Sequence, residues 1–99
     1  MDRWFVYLAA CVDGTIYTGI ARDVAARIAL HDSGRGARYT RGRGPLRTLA
    51  VRRCATKGDA LRLELAIKRL PRREKLAVAR SPRKLAAMAR ANARGSREP

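Results

Sequence analysis

The sequence is poor in the residues that build most catalytic centres. It holds one histidine and two cysteines. One imidazole and two distant thiols cannot close a four-ligand zinc site. Two cysteines also make no disulfide framework. No export signal opens the chain, so Cys11 and Cys54 are expected to be reduced and the protein cytoplasmic. No apolar run approaches the ~20 residues of a membrane span, so no membrane partner is expected. There is no phosphate-cradling P-loop. Gly34-Arg35-Gly36 lacks the later glycine and the strand–turn–helix context of a dinucleotide fingerprint. No serine sits on a sharp strand-to-helix elbow. Acid is scarce as well, with 8 Asp+Glu against 23 Lys+Arg.

What is present is charge of one sign on a short chain. The net charge is +15 over 99 residues. One small domain is the ceiling at this length, leaving no room for a cofactor domain beside a catalytic one. The expected organisation is a single domain over 1–94 and a frayed tail over 95–99. The 46% apolar content argues against global disorder. Such a chain repels itself and attracts polyanions, so nucleic acid is the expected partner, DNA before RNA. A monomer is favoured. The excess is uneven. Residues 51–99 carry fifteen bases and four acids, and Ser33 to Gly58 carries no acid at all. Of the bases, 19 are Arg, which forks onto phosphate oxygens as Lys cannot. GC-rich coding sequence accounts for that ratio equally well, but not for the net excess.

Trp4 to Cys11 is an apolar run of strand length with both faces apolar, which predicts a central strand. Asp13-Gly14 is a hairpin signal, and Thr15 to Ile20 reads as the partner strand. Residues 22–31 change period and predict an amphipathic helix with an acid near its start. Ser33 to Pro45 (SGRGARYTRGRGP) holds four Arg and four Gly and reads as a loop. Leu46 to Cys54 predicts a third strand, though its alternation is imperfect. Lys57 to Leu70 predicts a helix with Ala60, Leu63, Ile67 and Leu70 at helical spacing. A short helix over 72–79 follows Pro71. Ser81-Pro82 predicts an N-cap and a proline at N1, opening a last helix to about 93. The fold class is α+β, a small three-stranded antiparallel sheet flanked by helices in the order β-β-α-β-α-α-α.

Three groups of residues invite chemistry. Two of the three tyrosines, Tyr7 and Tyr17, lie on the paired first strands. A two-residue turn would point them to opposite faces. A three-residue loop, Val12-Asp13-Gly14, would set Tyr7 opposite Gly19 and Tyr17 opposite Ala9, on one face. Arg27 and His31 lie one helical turn apart, a phosphate clamp beside a group that exchanges protons near neutral pH. Their plainer reading is a solvated face with Asp23 pairing Arg27. Glu64 projects within the apolar arc of Ala60, Leu61, Leu63 and Ile67. A carboxylate there needs a partner or a metal. A divalent cation and a buried salt bridge to an arginine account for it equally.

Together these residues resemble the GIY-YIG nuclease superfamily. Val6-Tyr7 followed by Tyr17-Thr18-Gly19 is similar to its paired motif. RDVAARIALH supplies Arg-x3-His, the basic Gly-rich loop follows, and ALRLELAIKRL brings one acid on a helix. The resemblance spans about residues 4–80 and is nearest to the small stand-alone bacterial members. The chain departs from the pattern at Phe5-Val6-Tyr7, at Thr18 for the central Ile, and at Thr15 where many members carry Lys.

The resemblance implies a metal-dependent endonuclease hydrolysing DNA phosphodiesters, selective for structure rather than sequence. It implies Tyr7 as general base, Tyr17 as positioner of the nucleophile and His31 as proton relay. Arg27 would clamp the scissile phosphate, and Glu64 would hold one Mg²⁺ or Mn²⁺. Gly19 would let the backbone come close, and Arg35, Arg38, Arg41 and Arg43 would grip the flanking strand. With no recognition domain attached, a partner protein supplying specificity is a further expectation. Two other readings compete. One is a module that binds DNA or RNA on the same surface without cutting. The other is a structural basic protein of the ribosome-associated kind.

Overall fold

A computed structural model describes residues 3–35 and 44–93. It runs β1 (Trp4–Ala10), β2 (Ile16–Ala21), α1 (Val24–Asp32), β3 (Arg47–Cys54), α2 (Lys57–Lys68), α3 (Arg72–Arg80) and α4 (Pro82–Asn92). The sheet is antiparallel in the order β2-β1-β3, so the most apolar strand is central. Among the described residues no helix is long and apolar enough to cross a membrane. The expected frayed tail, 95–99, lies outside the described residues.

The hairpin takes the three-residue form. Gly14 has φ 86°, and its N–H donates to Cys11 O at 3.0 Å. Cys11 N–H donates to Thr15 O at 2.8 Å, closing the loop. The positive φ is what a turn with a glycine bulge demands. Asp13 Oδ1 steadies it by accepting from Thr15 N–H at 3.1 Å and from Thr15 Oγ1 at 2.7 Å. Register follows from the loop: Tyr7 pairs with Gly19 and Ala9 with Tyr17. The imperfect alternation of β3 also has a cause. Leu8 pairs with Ala50 but Ala9 with Thr48, so Leu49 is an extra residue on β3.

The sheet buries two faces. Val6, Leu8 and Ile16 pack with Ala60, Leu63 and Ile67 of α2, Val78 of α3 and Leu85 of α4. Each fully buried aliphatic side chain contributes ~1.5–3 kcal/mol. Tyr7, Ala9, Cys11 and Ala21 occupy the other face, where Val24 and Ile28 of α1 cover them. Helix starts follow their caps: Asp23 Oδ1 accepts from Ala26 N–H, Thr56 Oγ1 from Asp59 N–H, and Ser81 Oγ from Lys84 N–H. Cys11 and Cys54 are free and buried.

Candidate active site

The candidate site is built on the α1 side of the sheet, where an odd-numbered row of β1 meets an odd-numbered row of β2. Tyr7 and Tyr17 share that face, their ring centroids 6.1 Å apart. Gly19 makes the arrangement possible. A Cβ there would lie 2.7 Å from Tyr7 Oη, 2.8 Å from its Cζ and 2.9 Å from Tyr17 Cε2. Neither ring can retreat cheaply, because Tyr7 is fully buried against its neighbours. Gly19→Ala is therefore expected to destabilise the protein by ~1–3 kcal/mol. Urea denaturation measures it, and an unchanged midpoint would contradict this packing.

α1 delivers His31 to the tyrosines. Its ring lies edge-on to Tyr17 at 5.1 Å, and Nε2 is 3.0 Å from the Tyr7 hydroxyl. His31 is 3% exposed, the buried residue of its helix. This corrects the solvated-face reading for His31, while Arg27 does stay exposed. Asp23 serves as the N-cap. Two further features hold His31 in place. Gly34, at φ 83°, ends α1 with its N–H on His31 O at 3.0 Å and Arg35 N–H on Leu30 O at 3.1 Å. That is the Schellman pattern, and it releases the chain into the basic loop one residue pair after the histidine. Asp32 Oδ1 then accepts from Leu46 N–H at 2.8 Å, tying the two ends of that loop together. Asp32 was invisible to motif reading, since its partner is a backbone amide fourteen residues away.

Glu64 faces the same tyrosines from α2. Its side chain is 16% exposed, and its Oε2 lies 3.2 Å from Lys68 Nζ. The partner is thus a half-exposed lysine one turn on, and not an arginine inside the core. Helical spacing alone would have revealed Lys68. The arc read from the sequence is also narrower than expected. Leu61 is 45% exposed, so the buried stripe is Ala60, Leu63 and Ile67, and Glu64 stands at its edge. Thr18, at the position where the motif has Ile, is buried with its Oγ1 unpartnered.

The electrostatics separate the proton carriers. Burial pushes the Tyr7 phenol well above the ordinary tyrosine value. Tyr17 and Glu64 push the same way, and Arg27 pulls it down. Burial raises Tyr17 too, with Lys68 the foremost charge opposing it. His31 is pushed below 6.5 by burial and by Arg27, against Asp32. The pair at rest is a protonated phenol and a neutral imidazole.

Tyr7, Tyr17 and His31 are therefore in contact, and Arg27 and Glu64 both act on the Tyr7 hydroxyl. Arg35 is exposed at the mouth of the loop. Arg38, Arg41 and Arg43 lie outside the described residues. Among the described residues no three His, Cys, Asp or Glu side chains gather into a metal site. A cation at Glu64 would take its other ligands from water and phosphate, which is the habit of Mg²⁺. The donor set fits that kind of ion.

Comparison with known proteins identifies the family. The GIY-YIG catalytic domain model matches residues 3–77. A UPF0213 protein of Cupriavidus pinatubonensis is 49% identical over 75 residues, covering 76% of this chain and 83% of that one. A UPF0213 protein of Cupriavidus necator is 51% identical over 76 residues, covering 77% and 83%. The solution NMR structure of the UPF0213 protein BH0048 from Bacillus halodurans has a TM-score of 0.51 at 41% identity, covering 85% of this chain and 93% of its own. With that domain model matching most of its length and relatives of about half identity covered over most of theirs, the chain belongs to the GIY-YIG family.

Proposed function

We propose that the protein is a divalent-metal-dependent endonuclease that hydrolyses phosphodiester bonds in DNA, selecting for structure rather than sequence. The observation that carries this reading is the 3.0 Å contact between the buried Tyr7 hydroxyl and His31 Nε2. A phenol this strongly protonated is a poor base alone. A neutral imidazole at hydrogen-bond distance makes it a relay. Tyr7 Oη takes a proton from the attacking water as its own proton passes to His31 Nε2. Tyr17, half-exposed beside them, orients that water. Arg27 neutralises charge on the phosphate as the oxygen attacks. Glu64 would hold Mg²⁺ or Mn²⁺, which when bound supplies Lewis-acid stabilisation of phosphate charge. Lys68 then releases the Glu64 carboxylate and stays beside Tyr17. Tyr7 is covered in the free protein, so the reading requires substrate binding to admit water to it.

The test is cleavage of end-labelled single-stranded, flap, branched and duplex DNA with Mg²⁺ or Mn²⁺, with RNA in parallel. Nicking of a branched or flapped form is the expected result. A pure protein that binds all of them and cuts none would sink the proposal. That outcome would favour the second reading, a binding module. The full burial of Tyr7 and the pairing of Glu64 with Lys68 are the observations on its side.

The proton relay also sets a pH profile. His31 must be neutral to accept, and its pKa lies below 6.5. Cleavage should therefore hold through neutral pH and fall only on the acid side of about 6.5. Stability follows the same sign. The unfolded chain takes up the proton more readily, so His31 contributes fully above 6.5 and loses its contribution as pH falls. A rate that already declines between pH 8 and 7 would remove His31 from the relay.

A further inference from the structure

A second concave surface lies apart from the candidate active site. It opens at the hairpin edge of the sheet, where the end of β1 adjoins the starts of β2 and β3, and α3 closes it. Its volume is about 600 Å³. Three arginines line it, Arg47 from β3 and Arg72 and Arg80 from α3, and among the described residues no acidic side chain does. Its floor is apolar, formed by Ile16, Leu49 and Leu76. Those floor residues belong to the core on the α2–α4 side of the sheet, whereas Tyr7 and Tyr17 belong to the α1 side. Ala10, at the cleft wall, is three residue steps along β1 from Tyr7, ~10 Å.

One of the three arginines is held ready. Arg72 donates from Nε at 3.3 Å and from Nη2 at 3.0 Å to Gly14 O. The same glycine turn that sets the tyrosine register therefore anchors a guanidinium at the cleft. That uses two of the five donors of the fork, and the planar group keeps the rest in a fixed direction. Three like charges around one hollow repel each other until an anion enters. A volume of this size suits a small ligand, and an apolar floor beside a cationic wall suits a ligand with a flat body and a charged end.

We propose that this cleft binds a nucleotide, its phosphate on Arg47, Arg72 and Arg80 and its base on the apolar floor. The ligand is a nucleotide of a single strand or branch, or a free mononucleotide, since both present the same chemistry. This rests on the nucleic-acid half of the proposed function and is independent of cleavage. It gives the protein a second grip on a strand, on the opposite face from the tyrosines. A branched substrate has an arm to occupy it.

The test is an amide chemical-shift titration of the full chain, once with an eight-residue oligothymidylate and once with thymidine monophosphate. Shifts at Ile16, Leu49 and Leu76 are expected. Tighter binding of the oligonucleotide supports the site and assigns a strand to it. Equal affinity supports the site and assigns the free nucleotide. The double variant Arg47→Ala, Arg80→Ala should weaken oligonucleotide binding roughly tenfold and lower its salt slope by about 1.4, at ~0.7 per single-strand phosphate contact. Arg72 is left in place because it also anchors the hairpin. Amides at the floor that stay still with both ligands, or a double variant that binds like the parent, would overturn the proposal. A protein that fills the cleft without cutting sinks the nuclease reading alone. One that cuts with the cleft empty sinks this proposal alone.

Discussion

Tyr7→Phe is expected to lower single-turnover cleavage by ~10³-fold, within the range for a lost general base. The substitution removes one oxygen and keeps the ring. The packing under Gly19 therefore survives, while the relay to His31 Nε2 does not. The cost to folding is the buried hydrogen bond and the unpaired imidazole nitrogen, ~1–3 kcal/mol. That cost must be separated from the chemical one. Circular dichroism and a denaturation midpoint would show a folded protein, and fluorescence anisotropy would show unchanged affinity for DNA. The His31 pKa read by NMR should move, since its hydroxyl partner has gone. A Tyr7→Phe protein cutting within tenfold of the parent would show that the buried pair is structural.

Glu64→Ala is expected to abolish metal-dependent cleavage, by ~10²–10³-fold, as several kcal/mol of charge stabilisation disappear. Folding should hardly change. The carboxylate is paired to Lys68 one turn away, and an i, i+4 pair on a helix contributes ~0.3–0.5 kcal/mol. Binding should move in the opposite direction to catalysis. Without Glu64 the Lys68 ammonium is freed beside Tyr17, and the net negative charge near the phosphates falls. DNA affinity should stay level or tighten as cleavage is lost. Parallel loss of both would mean that Glu64 supports the fold. Full cleavage with the affinity unchanged would remove Glu64 from the chemistry altogether.

Much of this site was legible from the residue order. The hairpin signal at Asp13-Gly14 left two registers open, and only one places both tyrosines together. Gly14 in the left-handed region settled it, because the third loop residue must adopt a conformation that glycine alone takes cheaply. His31 shows the opposite case. On the helix it looks like one polar residue among several, and its burial arises because α1 lies across β2 and brings the ring onto Tyr7. Leu61 misled the pattern for a related reason. Helical spacing counts an apolar residue as inward, but only the three-helix packing of α2, α3 and α4 sets how wide the buried stripe is. Thr18 carries a buried hydroxyl with no protein partner, and nothing in the structure explains its preference over isoleucine.

Local rules determined the elements, their order, the cap at Ser81, and a polyanion as partner, because propensity, turn chemistry and net charge act over a few residues or over the whole chain at once. Tertiary structure decided the rest. Which hydroxyl meets the imidazole, and where three arginines gather around one cleft, depend on groups far apart in sequence. Their energies come from burial and from distances of about 3 Å, and only the packed sheet and helices set those.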